Sequence, residues 1–152
     1  MHQLKYRGWR SLAAPMAEPM ARIEWPDSHD PSVIVPVPTT VRRLRERGYN
    51  QAGLLADALG RLTSRPVRSL LLRGSGSRTQ TALQPAARAA NVAGAFAVAA
   101  PADGLHVVLV DDVLTTGATA AECARALAAA GACCVRLTTF ARAFEIRGLT
   151  GT

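Results

Sequence analysis

The stretch VVLVDDVLTTGAT, residues 107 to 119, constrains this chain more than any other. Four consecutive apolar residues run into two adjacent carboxylates and then into a Thr/Gly turn. A continuous apolar run lacks the alternation of a half-solvated strand and reads as a strand buried on both faces, the signature of a parallel sheet with helices above and below. In such sheets ligands collect beyond the carboxyl ends of the strands, where loops lead into helices. Asp111 and Asp112 fall at that end. Burying either without a partner is costly, so both are expected at the exposed lip of the sheet, hydrogen-bonded to something.

The rest of the chain repeats the alternation of periods. SVIVPVP (32–38) reads as a buried strand stopped by prolines, and VRSLLLR (67–73) as a second strand. Between them, NQAGLLADALGRL (50–62) places Leu54, Leu55, Ala58, Leu59 and Leu62 on one helical face, with Gly60 weakening its end. GSGSRTQTALQ (74–84) has no period and reads as a mobile loop. A short helix over 85–90, a strand over 94–98 and a turn over 100–104 precede the central strand LHVVLV; a helix closed by Gly131 and a last strand, ACCVRLTTFAR, follow it. The order β-α-β-loop-β-β-α-β implies an α/β fold with a mainly parallel sheet covered by helices on both faces. A chain of 152 residues suffices for one domain over 1–152, with 1–30 as an N-terminal helical extension broken by Pro15 and Pro19.

The chemistry of the opening stretch follows from its residue types. An ionised carboxylate only accepts hydrogen bonds, and two in series match the vicinal hydroxyls of a ribose. The TTGAT segment (115–119) adds Thr115, Thr116, a glycine that permits close backbone approach at Gly117, then Ala118 and Thr119. Thr119 with Glu122 forms a capping-box pattern that puts a helix start near 119. Free N–H groups and the positive end of the helix dipole then face the loop, a natural seat for a phosphate monoester. "DD" or "TTG" alone fits an acidic turn or an ordinary cap. Their order along one strand, loop and helix describes a ribose 5-phosphate site.

Charge points the same way without choosing a ligand. The formal net charge is +7, from 18 basic against 11 acidic residues, which favours phosphorylated ligands and nucleic acid alike. Aromatics make up 5%, too few for the interleaved stacking platform of a single-strand binder. No apolar run approaches the roughly 20 residues of a membrane helix, and no signal peptide is visible, so a cytoplasmic protein is expected. Cys123, Cys133 and Cys134 lack C-x-x-C spacing and a nearby histidine, so neither disulfides nor zinc are expected from them.

At these residues the sequence resembles the type I phosphoribosyltransferases, whose binding signature for 5-phosphoribosyl-1-pyrophosphate (PRPP) is this strand-DD-loop-helix unit. More narrowly it resembles the ComF family of competence-associated proteins, through LKYRG (4–8), RRLRERGYNQAGLLADAL (42–59), LLR (71–73) and QTALQPAARAANVAGAF (80–96). The resemblance implies PRPP binding at Asp111, Asp112, Thr115, Thr116, Gly117, Ala118 and Thr119. It also implies roles, for pyrophosphate or the family motif, for Arg47, Gly48, Tyr49, Asn50, Gln51, Arg73, Gln80, Arg88 and Asn91, with Leu83 and Phe96 as further family markers. Arg42, Arg43 and Arg45 fit a solvated helical face as well as they fit the mouth of the site. Mg²⁺ is the implied cofactor, carried mainly by PRPP, with no metal-ligand set expected in the protein itself.

Two departures from the family pattern bear on function. ComF proteins usually carry a four-cysteine zinc module ahead of LKYRG, and this chain starts just before that segment, so the module is expected to be lost or to lie outside it. Purine-salvage relatives place an aspartate before the Thr-Gly pair as a base toward the nucleobase; here that position is Thr115, which argues against purine salvage. Two readings follow: a phosphoribosyltransferase with an unknown acceptor, or a non-catalytic PRPP- or nucleotide-binding protein working in DNA uptake beside a competence helicase, with single-stranded DNA as a further candidate partner.

Overall fold

The computed structural model of the protein describes residues 2–23, 25, 32–74 and 95–143, with side chains from residue 11 onward. The elements run α1 (His2–Ala21), β1 (Ser32–Pro36), α2 (Val41–Arg47), α3 (Gln51–Thr63), β2 (Leu71–Arg73), β3 (Phe96–Val98), β4 (His106–Leu114), α4 (Ala118–Ala129) and β5 (Cys134–Arg142). β4 is the middle of a parallel sheet ordered β1-β4-β5, in register Val35↔Leu109 on one side and Leu109↔Leu137 on the other. β2 and β3 form a separate antiparallel pair.

Alternation along β4 sends its side chains into two cores. Val107 and Leu109 join Val33, Val35, Leu71 and Phe96 beneath Ala120, Cys123 and Leu127 of α4. Val108 and Val110 join Ile34 beneath Leu55, Ala56 and Leu59 of α3, with Ala17 and Met20 of α1 closing that layer. Helices therefore cover both faces of the sheet, as the unbroken apolar run of β4 requires. The N-terminal segment is helical and packs on α3, with Pro15 and Pro19 inside it, where each removes one backbone donor from the helix. Among the described residues no helix is long and apolar enough to cross a membrane.

The fold corrects four local expectations. The strand read over 67–73 is regular only from Leu71 to Arg73. Val67 makes one isolated parallel bridge to Ile34, and a tight turn in which Leu70 N–H donates to Arg68 C=O at 3.0 Å then leads the chain into β2, which pairs with β3. The buried face of α3 runs through Ala52, Leu55, Ala56, Ala58 and Leu59, while Leu62 is exposed. Gly60 serves contact there: a Cβ on it would lie 2.6 Å from Val67 Cγ2, so its absence lets the returning chain lie against the helix. β4 does not stop at the acids but continues to Leu114, because β5 keeps pairing alongside through Val113↔Ala141 and Leu114↔Arg142. The capping box does not form. α4 starts at Ala118 behind Gly117, whose φ of 78° is left-handed, and Glu122 is buried and ion-paired with Arg125. The loop read over 74–84, apart from Gly74, and the short helix read over 85–90 lie outside the described residues.

Candidate functional site

The carboxyl ends of β1 and β4, together with the middle of β5, open into one cavity of about 470 Å³. β1 leads into Val37, Pro38 and Thr39; β4 contributes Asp111 through Leu114; β5 contributes Leu137 and Thr139. The loop into α4 supplies Thr115 and Gly117, and the helix itself Thr119 and Ala120. Opposite stand Arg43 and Arg47 of α2, Asn50, Gln51 and Ala52 at the start of α3, and Arg73 at the end of β2. Three guanidinium groups thus share a space with two carboxylates.

Local structure explains how these side chains arrive. Asn50 Nδ2 donates to Val37 C=O at 2.9 Å and ties the start of α3 to the end of β1. α2 is held by its ends, with Thr40 Oγ1 accepting from Arg43 N–H at 3.2 Å and Gly48 N–H donating to Leu44 C=O in a left-handed C-cap. It buries no residue of its own. Arg43 and Arg47, four apart, share the cavity face; Arg42 points away and meets Glu46 at 2.7 Å. Asp111 lies beside Thr139 in the ladder, so the β5 hydroxyl neighbours the first carboxylate.

Electrostatics distinguish the groups around Asp111. Burial is the main cause that raises the Asp111 carboxyl to about 6, aided by the neighbouring Asp112 and opposed by a hydrogen bond from the Asp112 backbone. Burial also lowers Arg73, with the like charge of Arg43 adding to the shift. The Cys123 thiol is pushed up to about 12 by burial first and then by Asp111, so it is an uncharged packing group rather than a thiolate nucleophile.

The structure brings together Asp111, Asp112, Thr115, Gly117 and Thr119 of the expected phosphoribosyl set. It leaves Thr116 and Ala118 off the cavity wall, where Thr116 Oγ1 accepts from Ala118 N–H at 3.4 Å within the turn. Of the RGYNQ block, Arg47, Asn50 and Gln51 reach the cavity. Gly48 is a cap and Tyr49 is buried in packing. Arg73 is present at the wall; Gln80, Leu83, Arg88 and Asn91 lie outside the described residues. The sequence left Arg42, Arg43 and Arg45 open between a solvated face and the mouth of the site; Arg43 lines the cavity, and Arg42 and Arg45 stay out of it. The sequence also assigned no role to Pro38 and Thr39, whose signal was their position just past the apolar core of β1, or to Leu137 and Thr139, which enter from mid-β5 through their register with Leu109 and Asp111.

The donor set also allows a test of the implied Mg²⁺. Asp111 and Asp112 are adjacent oxygen donors on the cavity wall, which suits an ion that takes one or two carboxylates and completes its shell with ligand phosphates and water. Among the described residues no three His, Cys, Asp or Glu side chains converge into a protein-only cage.

Comparison with known proteins agrees with this architecture. A phosphoribosyl transferase domain model matches residues 46–147. The chain is 36% identical to the DNA utilization protein YhgH of Salmonella typhimurium, an alignment covering 93% of this chain and 65% of that protein. It is 35% identical to competence protein ComFC of Bacillus subtilis, covering 68% of this chain and 40% of that protein. The chain thus spans 40% to 65% of the length of these two relatives. Among solved structures, the glutamine PRPP amidotransferase of B. subtilis in complex with ADP and GMP superposes with a TM-score of 0.61 at 20% identity, covering 86% of this chain and 26% of that one, a likeness of fold. The type I phosphoribosyltransferase architecture, the family model and the competence-protein relatives converge: the chain belongs to the phosphoribosyl transferase domain family, in its ComF branch.

Proposed function

We propose that the cavity binds PRPP with Mg²⁺ and that the protein transfers the phosphoribosyl group to an acceptor. The observation that carries this reading is the meeting, in one cavity, of a carboxylate pair, the N-terminal turn of a 12-residue helix and three guanidinium groups. Asp111 and Asp112 accept hydrogen bonds from the ribose hydroxyls. The 115–119 turn and the α4 N–H groups take the 5′-phosphate. Arg43, Arg47 and Arg73 face the pyrophosphate. Transfer forms a bond from the acceptor to ribose C1 and breaks the C1–O bond. The electron pair leaves on pyrophosphate, and the acceptor proton passes to solvent. Mg²⁺, when bound, supplies charge neutralisation on the leaving pyrophosphate, with Asp111 and Asp112 as its available protein donors.

Calorimetric titration of PRPP and Mg²⁺ into the native chain and into the Asp111→Asn, Asp112→Asn double variant tests the reading. Binding by the native chain and none by the variant, with an unchanged circular dichroism spectrum, is the expected result. Equal affinity removes the ribose assignment.

A second reading rests on the names of the relatives, DNA utilization protein and competence protein. There the site binds PRPP or a nucleotide without turnover, and the protein serves DNA uptake in the cytoplasm through partners such as a helicase. Thr115, exposed at the cavity where purine-salvage relatives carry an acid, fits a site without a nucleobase-directed base. Pyrophosphate release from PRPP in the presence of cell extract separates the two readings: accumulation marks a transferase, and binding without release marks the partner protein. If single-stranded DNA is itself a ligand, removing the exposed Arg45 lowers its affinity and reduces the salt slope.

A further inference from the structure

The arginines of this chain differ in what holds them. Away from the cavity, Arg42 is paired with Glu46, and Arg125 with Glu122. At the cavity, Arg73 lies over the ring of Phe96 with Cζ 5.1 Å from the centroid, and Arg47 Nη1 donates to Oε1 of Gln51. Both of these contacts are uncharged. A carboxylate fixes a guanidinium and cancels its charge, whereas a ring face or an amide oxygen fixes it and leaves the charge in place.

The backbone delivers both contacts. Arg73 and Phe96 are direct partners in the antiparallel β2–β3 ladder, which puts their side chains on the same face. Phe96 is only 9% exposed and packs in the core with Val33, Leu109 and Cys123, so the ring is a fixed platform. Gln51 opens α3, four residues beyond Arg47, on a helix tied to β1 through Asn50. Ring stacking alone does not mark a site, since Arg65 also sits over Trp25 at the other end of the sheet. Arg73 differs because it lines the cavity with Arg43 and Arg47.

We infer that Phe96 and Gln51 are positioning residues that hold Arg73 and Arg47 toward the cavity without neutralising them, forming a cradle for a ligand group with several negative charges, such as a pyrophosphate. The inference rests on the proposed PRPP reading and concerns the leaving-group end of the same site. Like charges gathered at one cavity repel one another, and an arriving polyanion relieves that repulsion.

The test measures binding of inorganic pyrophosphate and, separately, of ribose 5-phosphate, to the native chain and to Phe96→Leu, Phe96→Tyr and Gln51→Glu. Phe96→Leu removes the ring but keeps an apolar side chain; it is expected to weaken pyrophosphate about tenfold, in the range of a partly desolvated cation–π contact, and to leave ribose 5-phosphate unchanged. Phe96→Tyr restores pyrophosphate binding. Gln51→Glu, at a partly exposed helix start, places a carboxylate beside Arg47 and is expected to weaken pyrophosphate by a similar factor with no loss of thermal stability; it carries the test if Phe96→Leu does not fold. Unchanged pyrophosphate affinity in the variants overturns the positioning role and leaves the PRPP reading standing. Equal weakening of both ligands by Phe96→Leu, without rescue by tyrosine, also overturns it, as a purely structural effect. A native chain that binds ribose 5-phosphate but not pyrophosphate overturns the cradle, and one that binds neither overturns the PRPP reading as well.

Discussion

The backbone N–H of Asp112 donates to Oδ1 of Asp111 at 2.9 Å, and the next N–H, that of Val113, donates to Oδ1 of Asp112 at the same distance. Each acid thus secures itself on the peptide that follows it, which orients both carboxylates on the cavity wall. This explains why the central strand can carry two like charges side by side. The pair is anchored by its own backbone and needs no counter-ion in direct contact.

Ligand affinity should therefore depend on pH near the value set by burial. In the proposed PRPP site the ionised Asp111 carboxylate is the better acceptor for ribose hydroxyls, and its carboxyl is raised to about 6. PRPP binding is expected to be about tenfold weaker at pH 5 than at pH 8, since roughly a tenth of such a group is ionised one pH unit below its pKa. Titrations across that range check it; a flat profile contradicts the assignment of Asp111 to the ribose.

The same shift has a stability consequence of opposite sense. Because the folded-state value lies above the unfolded one of about 3.9, the folded state binds the extra proton between about pH 4 and 6, and stability falls as pH rises through that window. Asp111→Asn keeps the Oδ1 acceptor and removes the buried charge. It is expected to raise stability at pH 7 by on the order of 1 kcal/mol, after allowance for partial solvent access, and to flatten this part of the pH dependence. Urea unfolding at pH 4.5 and pH 7 measures both effects.

Gly117→Ala should cost about 1–2 kcal/mol, because φ is 78° at that position. The added Cβ would sit 3.6 Å from Leu114 Cδ1, an ordinary contact, so the cost is conformational rather than steric. Chemical denaturation checks the stability. A parallel loss of ribose 5-phosphate affinity would tie the left-handed turn to phosphate binding.

Thr40→Ala should act locally. The cap is worth about 1 kcal/mol to α2, but that helix buries no residue, so the global melting temperature is expected to move little. Hydrogen exchange of the amides from Arg43 to Arg47 is expected to accelerate, and pyrophosphate affinity to drop because two of the three cavity arginines ride on this helix. A protected α2 in the variant would contradict this.

The sheet, its parallel sense and the carboxylate end of β4 were legible because each depends on consecutive residues. Continuous apolar runs mark two-sided burial, and the acids mark where burial ends. The set on the opposite wall was not. Arg43 and Arg42 are neighbours in sequence with the same chemistry, and only the phase of α2 sends one to the cavity and the other to Glu46. Thr139 enters through its register with Asp111, a pairing between strands that no local pattern encodes. The capping-box expectation failed because Gly117 could adopt the left-handed conformation and start the helix earlier, freeing Thr119 for the cavity and Glu122 for Arg125.

The division of β4 between two cores reaches beyond stability. Val107 and Leu109 answer to α4, whose N-terminal turn lines the cavity, and Val108 and Val110 to α3, which presents Asn50 and Gln51 from the other side. Substitutions at adjacent positions of one strand are thereby felt first by different helices. The strand thus stands as a partition between the two walls of the cavity, one wall resting on the core beneath α4 and the other on the core beneath α3.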